Sequence, residues 1–196
     1  LRQLAAGGAF GCALQASGGV RCWGSNTQGR LGSFTTALAD SSLALAVANL
    51  DAGIVQIATG ENFGCALTGS GDVKCWGDNA FGQRGTNPVA SNYGATDLAG
   101  LPPASTFVAA GSFHACAVTA AHTVQCWGSN SGGALGQDAG LTSSPTPLEV
   151  PGVTGAVSLA LGAGHSCALL GDAGIRCWGL NLDGQLGNGG KLSSPV

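Results

Sequence analysis

Short apolar runs alternate with small polar turns along the chain. Cys12-Ala13-Leu14 and Val20-Arg21-Cys22-Trp23 flank the turn Ala16-Ser17-Gly18, a pattern that predicts two strands joined by a hairpin. A second copy is centred on Gly69-Ser70-Gly71. Ahead of the hairpins lie further apolar stretches: Leu1 to Ala6, Ile54-Val55-Gln56-Ile57-Ala58, Phe107-Val108-Ala109-Ala110 and Val157-Ser158-Leu159-Ala160-Leu161. These predict one inner strand per copy. The segments Ser33 to Asn49, Thr86 to Ser105 and Gln137 to Thr154 hold most of the Pro, Ser and Asn, and predict loops with an outer strand.

The copies repeat with a period of about fifty residues, which decides the architecture. Cysteines pair as Cys12 and Cys22, Cys65 and Cys75, Cys116 and Cys126, and Cys167 and Cys177. Trp-Gly follows each second cysteine, at Trp23, Trp76, Trp127 and Trp178. Asn26, Asn79, Asn130 and Asn181 come next, then Gly29, Gly82, Gly133 and Gly184, then Gly32, Gly85, Gly136 and Gly187. A glycine (Gly7, Gly60, Gly111 or Gly162) stands five residues before each first cysteine. The approximate repeats are 1–53, 54–105, 106–155 and 156–196.

The cysteine spacing centres the first hairpin on Ser17 and implies a three-residue loop with a left-handed third position. Gly18 and Gly71 suit that position, whereas His122 and Ala173 predict strained or altered turns. Counting out from the loop, Cys12 and Cys22 fall on a non-hydrogen-bonded pair, where Cα atoms approach to about 4.5 Å. Disulfides span roughly 4.4 to 6.8 Å, so four disulfides within the repeats are expected. Zinc is the poorer reading, because structural sites prefer closely spaced, converging thiolates.

These residues resemble the regulator-of-chromosome-condensation repeat, in its bacterial, disulfide-containing form. The family's marks are Gly-x-x-His-x-Cys-Ala-Leu and Cys-Trp-Gly-x-Asn-x-x-Gly-x-Leu-Gly. Copy four carries Gly162, His165, Cys167, Ala168 and Leu169, then Cys177-Trp178-Gly179 through Leu186-Gly187. Phe10 and Phe63 replace the His in copies one and two, and Arg84 replaces the Leu in copy two. The resemblance implies an all-β propeller of four-stranded antiparallel blades. Such propellers usually close with seven blades, so these four are expected to be part of a longer chain, with a closed four-blade ring as the alternative.

Composition narrows the function. Charged residues are 9% of the chain and the net charge is −3. The basic residues are scattered, so no nucleic-acid partner is expected, because phosphate binding needs clustered Lys and Arg. No apolar run approaches the ~18 residues of a membrane span. Ser and Thr number 30 against 17 charged residues. A surface so poor in charge suits coverage by partners, by like subunits or by O-linked sugar.

No constellation of nucleophile, base and acid stands out, so neither an enzyme nor a cofactor is expected. Gly187-Asn188-Gly189-Gly190-Lys191 lacks the spacing of a phosphate-binding loop. The four Trp read as inter-blade packing rather than sugar platforms. His114 and His165 occupy a structural position of the repeat, and His122 a turn. Disulfides indicate an oxidising compartment. The expected function is therefore an extracellular or cell-surface scaffold binding protein or glycan through variable loops, with Phe34, Asn92, Tyr93, Leu141 and Asn188 as contacts. The alternatives are an intracellular regulator (a small-GTPase exchange factor or chromatin-docking propeller) and a secreted enzyme-inhibiting propeller.

Overall fold

The computed structural model describes residues 1–33, 39–85, 93–138 and 140–195. Fifteen strands among them form four antiparallel sheets. The first blade is β1 (Gln3–Ala6), β2 (Phe10–Leu14), β3 (Val20–Gly24) and β4 (Ser41–Ala46). The second is β5 (Ile54–Thr59), β6 (Phe63–Thr68), β7 (Val73–Gly77) and β8 (Thr96–Asp97). The third is β9 (Phe107–Ala110), β10 (His114–Val118), β11 (Val124–Ser129) and β12 (Ser143–Glu149). The fourth is β13 (Ala156–Leu161), β14 (His165–Leu170) and β15 (Ile175–Gly179). Its outer edge is met by a bridge between Gly179 and Ser194 rather than a full strand. Strand order follows chain order in every sheet. Pro145 and Pro147 lie on β12, an outer edge where a missing N–H removes no ladder bond.

In each hairpin the two cysteines sit directly opposite: Cys12 with Cys22, Cys65 with Cys75, Cys116 with Cys126, Cys167 with Cys177. Each pair is a disulfide with Cα atoms 4.1 Å apart. By loop-closure entropy, a link over so short a loop stabilises by roughly 2 to 3 kcal/mol. Gly18 and Gly71 take φ of 85° and 88° at the turn, and His122 and Ala173 take the same left-handed conformation at 59° and 67°. The loop length thus imposes its geometry even where no glycine is available. His122 gains a compensating contact between its Nδ1 and the carbonyl of Ala156, 3.1 Å away.

Blades pack on their neighbours through the tryptophans. Trp76, Trp127 and Trp178 are fully buried. Their indole N–H groups donate across the blade boundary to the carbonyls of Arg30 (2.9 Å), Gln83 (2.9 Å) and Ala134 (3.0 Å). Gln3 clamps the main chain of Ile57 from both sides, and Gln56 does the same to Val108. Trp23 differs from its three counterparts. It is only partly buried and lines an open apolar cavity with Leu4, Phe10 and Gly11. The reason is positional, since the surface that covers the other indoles is the preceding blade. The opposite face of the fourth blade likewise exposes Leu169 and Ile175.

This asymmetry gives a direct test. Trp127→Ala should lower the unfolding free energy by about 3 to 5 kcal/mol, the usual range for emptying a buried aromatic site. In the four blades of residues 1–196 alone, Trp23→Ala should cost well under half of that. Denaturant titration of both variants checks the difference.

Candidate interaction surfaces

Antiparallel order puts the turn between the first two strands of a blade and the loop between its last two on the same end. One face of the array therefore gathers the turns between first and second strands and the described parts of the connections between third and fourth strands. At its centre, Gly7, Gly60, Gly111 and Gly162 line a common polar opening. Backbone bonds from Gly8 N to Glu61 O (3.2 Å) and from Glu61 N to Ser112 O (3.1 Å) link successive turns around it.

The repeat asparagines hold the loops in place. Asn26, Asn79, Asn130 and Asn181 are buried, and each Oδ1 accepts the N–H five residues on, at Leu31, Arg84, Leu135 and Leu186. Asn130 Nδ2 donates to the carbonyls of Gln137, Asp138 and Leu141, and Asn181 Nδ2 to those of Gly190 and Leu192. A buried amide thus satisfies loop carbonyls that would otherwise face desolvation unpaired. Loop sequence is left free to vary.

On this face Phe81, Phe113, Leu141 and the Ser129–Gly133 segment line a cavity of about 480 Å3. Phe81 is 41% exposed and Phe113 37%. Their rings meet edge to face with centroids 5.7 Å apart, a favourable aromatic arrangement. Of the expected contacts, Leu141 belongs to this site. Tyr93 lies elsewhere on the face, half-buried with its ring against Gly29. Asn188 is exposed, but its Oδ1 accepts from Asn181 Nδ2 and Gly190 N, so it closes its own loop. Phe34 and Asn92 lie outside the described residues. Phe81 and Phe113 were not among the expected contacts. Their signal is within the repeat: Gln28, Gly132 and Asp183 stand where Phe81 does, and Ala9, Asn62 and Gly164 where Phe113 does.

His114 is fully buried, with Nε2 2.9 Å from Ser166 Oγ across the blade boundary. Ser166 gives its hydroxyl proton to the Ala134 carbonyl (3.1 Å), so His114 Nε2 must be the donor. Nδ1 is left buried without a partner among the described residues, which suits an unprotonated nitrogen. Burial, then the nearby charge of His165, pushes the His114 pKa down to about 4. No group of three metal-ligating side chains occurs among the described residues.

The sequence profile described as "Regulator of chromosome condensation (RCC1) repeat" matches residues 1–30, 54–83, 106–134 and 156–185. The human protein named "Probable E3 ubiquitin-protein ligase HERC4" is 31% identical over 191 residues, which are 95% of this chain and 18% of that one. The chain therefore spans about a fifth of that relative. Prp20p of Saccharomyces cerevisiae, whose crystal structure is described with its binding to Gsp1p and histones, is similar with a TM-score of 0.77 and 27% identity. That match covers 92% of this chain and 43% of Prp20p. The ectodomain of the Physcomitrella patens receptor kinase CR4 gives a TM-score of 0.57 at 27% identity, over 92% of this chain and 42% of that one.

A pH dependence follows from His114. The depressed pKa means that the unfolded chain binds the proton more readily than the fold does. The stabilisation is therefore complete above pH 6.5 and is lost as pH falls toward about 4, by on the order of 3 kcal/mol for a shift of this size. His114→Phe, the residue type of Phe10 and Phe63 at this position, should flatten that part of the profile. Unfolding titrations from pH 7 to 4 read it.

Proposed function

Since the chain belongs to the family of regulator of chromosome condensation repeats, we propose that it is an extracellular or cell-surface propeller scaffold that binds a protein through its loop-bearing face and performs no catalysis. The observation that carries this reading is the Phe81–Phe113 pocket. Two exposed aromatics rimmed by polar Ser and Asn backbone match the usual anatomy of a protein contact, an apolar anchor within a polar rim. A flat sugar platform is disfavoured by their edge-to-face geometry.

Four disulfides support the compartment, since thiols are kept reduced in the cytosol. The likeness to a receptor ectodomain agrees with it. The likeness to Prp20p and HERC4 favours the second reading, an intracellular regulator. HERC4's ligase name attaches to a protein of which this chain spans 18%, and nothing in the proposal transfers it. The two bare end faces fit further blades of the same chain, completing a ring of about seven, or other subunits. Each of these faces duplicates one half of an interface already present between consecutive blades.

Two measurements test this. Thiol titration of the protein purified from its native source, denatured without reductant, should find no free thiol. Eight free thiols would favour the intracellular reading. Peptides selected from a displayed library on the wild type should lose binding to a Phe81→Ser, Phe113→Ser variant that still unfolds cooperatively in a denaturant titration. Undiminished binding to that variant would remove the pocket from the proposal.

A further inference from the structure

Residue 84 departs from the repeat where an apolar side chain is otherwise found. Leu31, Leu135 and Leu186 hold this position in the other copies, and Leu31 and Leu135 are fully buried. Arg84 takes the same place and is 1% exposed. Its main chain is pinned as theirs is, by an N–H bond to the repeat asparagine, Asn79. The repeat geometry therefore carries a guanidinium inward.

A guanidinium does not shed its proton at ordinary pH. Taking it out of water costs several kcal/mol unless an anion and hydrogen bonds repay it. Burial pulls the Arg84 pKa downward, and Tyr93 beside it pulls the other way. Neither Nε nor Nη2 has an acceptor among the described residues. Asp78 is the nearby carboxylate, but its oxygens are taken by Ala80 N and Gln83 Nε2. Lys74–Asp97 is the ion pair found among the described residues, and it lies elsewhere. Among the described residues Arg84 thus has no direct ionic partner.

Arg84 lines a cavity of about 260 Å3 together with Gln28 of the first blade and Asp78 and Tyr93 of the second. We propose that this cavity is a carboxylate-binding site in which Arg84 is the anchoring cation. Its planar fork matches a carboxylate in bidentate fashion. One cation beside Asp78 favours a single negative charge over a phosphate dianion. The volume is below the roughly 300 Å3 at which sites for whole small molecules begin, so it suits a group the size of a side chain. That group is either an Asp or Glu side chain of a protein partner or a small free carboxylic acid. The site is separate from the Phe81–Phe113 pocket and does not depend on it.

Thermal melting at constant ionic strength tests this, with sodium acetate or the peptide acetyl-Gly-Asp-Gly-amide replacing sodium chloride. The wild-type midpoint should rise with either probe. Arg84→Leu should melt above the wild type in chloride, because it restores the residue of the other copies. It should also weaken probe binding by about tenfold or more, the loss expected for a charge-assisted pair. Arg84→Gln, neutral and still polar, should lose the same response. Tighter binding of the peptide than of acetate identifies a protein side chain, and equal binding a free acid. A wild type indifferent to both probes would overturn the proposal. So would an Arg84→Leu variant that responds equally, or a larger response to sodium phosphate than to acetate.

Discussion

The indole N–H that crosses each blade boundary is the interaction on which the array depends. A buried Trp fills the gap between two sheets, but its N–H must find an acceptor or carry the cost of a lost hydrogen bond. The carbonyls of Arg30, Gln83 and Ala134 meet that need, each from the same place in the preceding blade. One contact thereby sets both the packing and the rotation between neighbours. The disulfide acts at the smaller scale, fixing the hairpin from which the Trp projects. Short sheets with few charges could slide past one another, and these two fixed points prevent it.

With the frame set, the loops can vary. Each buried asparagine gathers loop carbonyls, as Asn130 does for Gln137, Asp138 and Leu141. Different loop sequences can therefore hang from the same anchor without leaving polar groups unpaired. The outcome is a face where copy-specific residues, Phe81 and Phe113 in particular, are presented by an unvarying support.

Much of this frame was legible in the sequence. Loop length and the two-residue strand period fix the cysteine register, so Cys12 opposite Cys22 follows from counting. The inner strands were visible as apolar runs, with β9 at Phe107–Ala110 matching residue for residue. The carbonyl partner of each Trp was not legible, because it lies some 45 residues away and belongs to another blade. The exposure of Trp23 was missed for the same reason, since spacing alone makes all four Trp equivalent. Asn188 looked like a free loop residue, whereas its side chain closes the loop. Phe81 and Phe113 are 32 positions apart in the sequence, and only the meeting of two blades makes them a pair.

Exchange of the four indole protons with solvent tests the central claim most directly. A two-dimensional nitrogen–proton spectrum resolves one indole signal per Trp, and transfer into deuterated buffer times their loss. For the four blades of residues 1–196 alone, the account predicts three slowly exchanging signals, from Trp76, Trp127 and Trp178, and one faster signal from Trp23, which a further blade packed on that face would slow. Rapid loss of all four would contradict it, because no blade boundary would then be held by its indole.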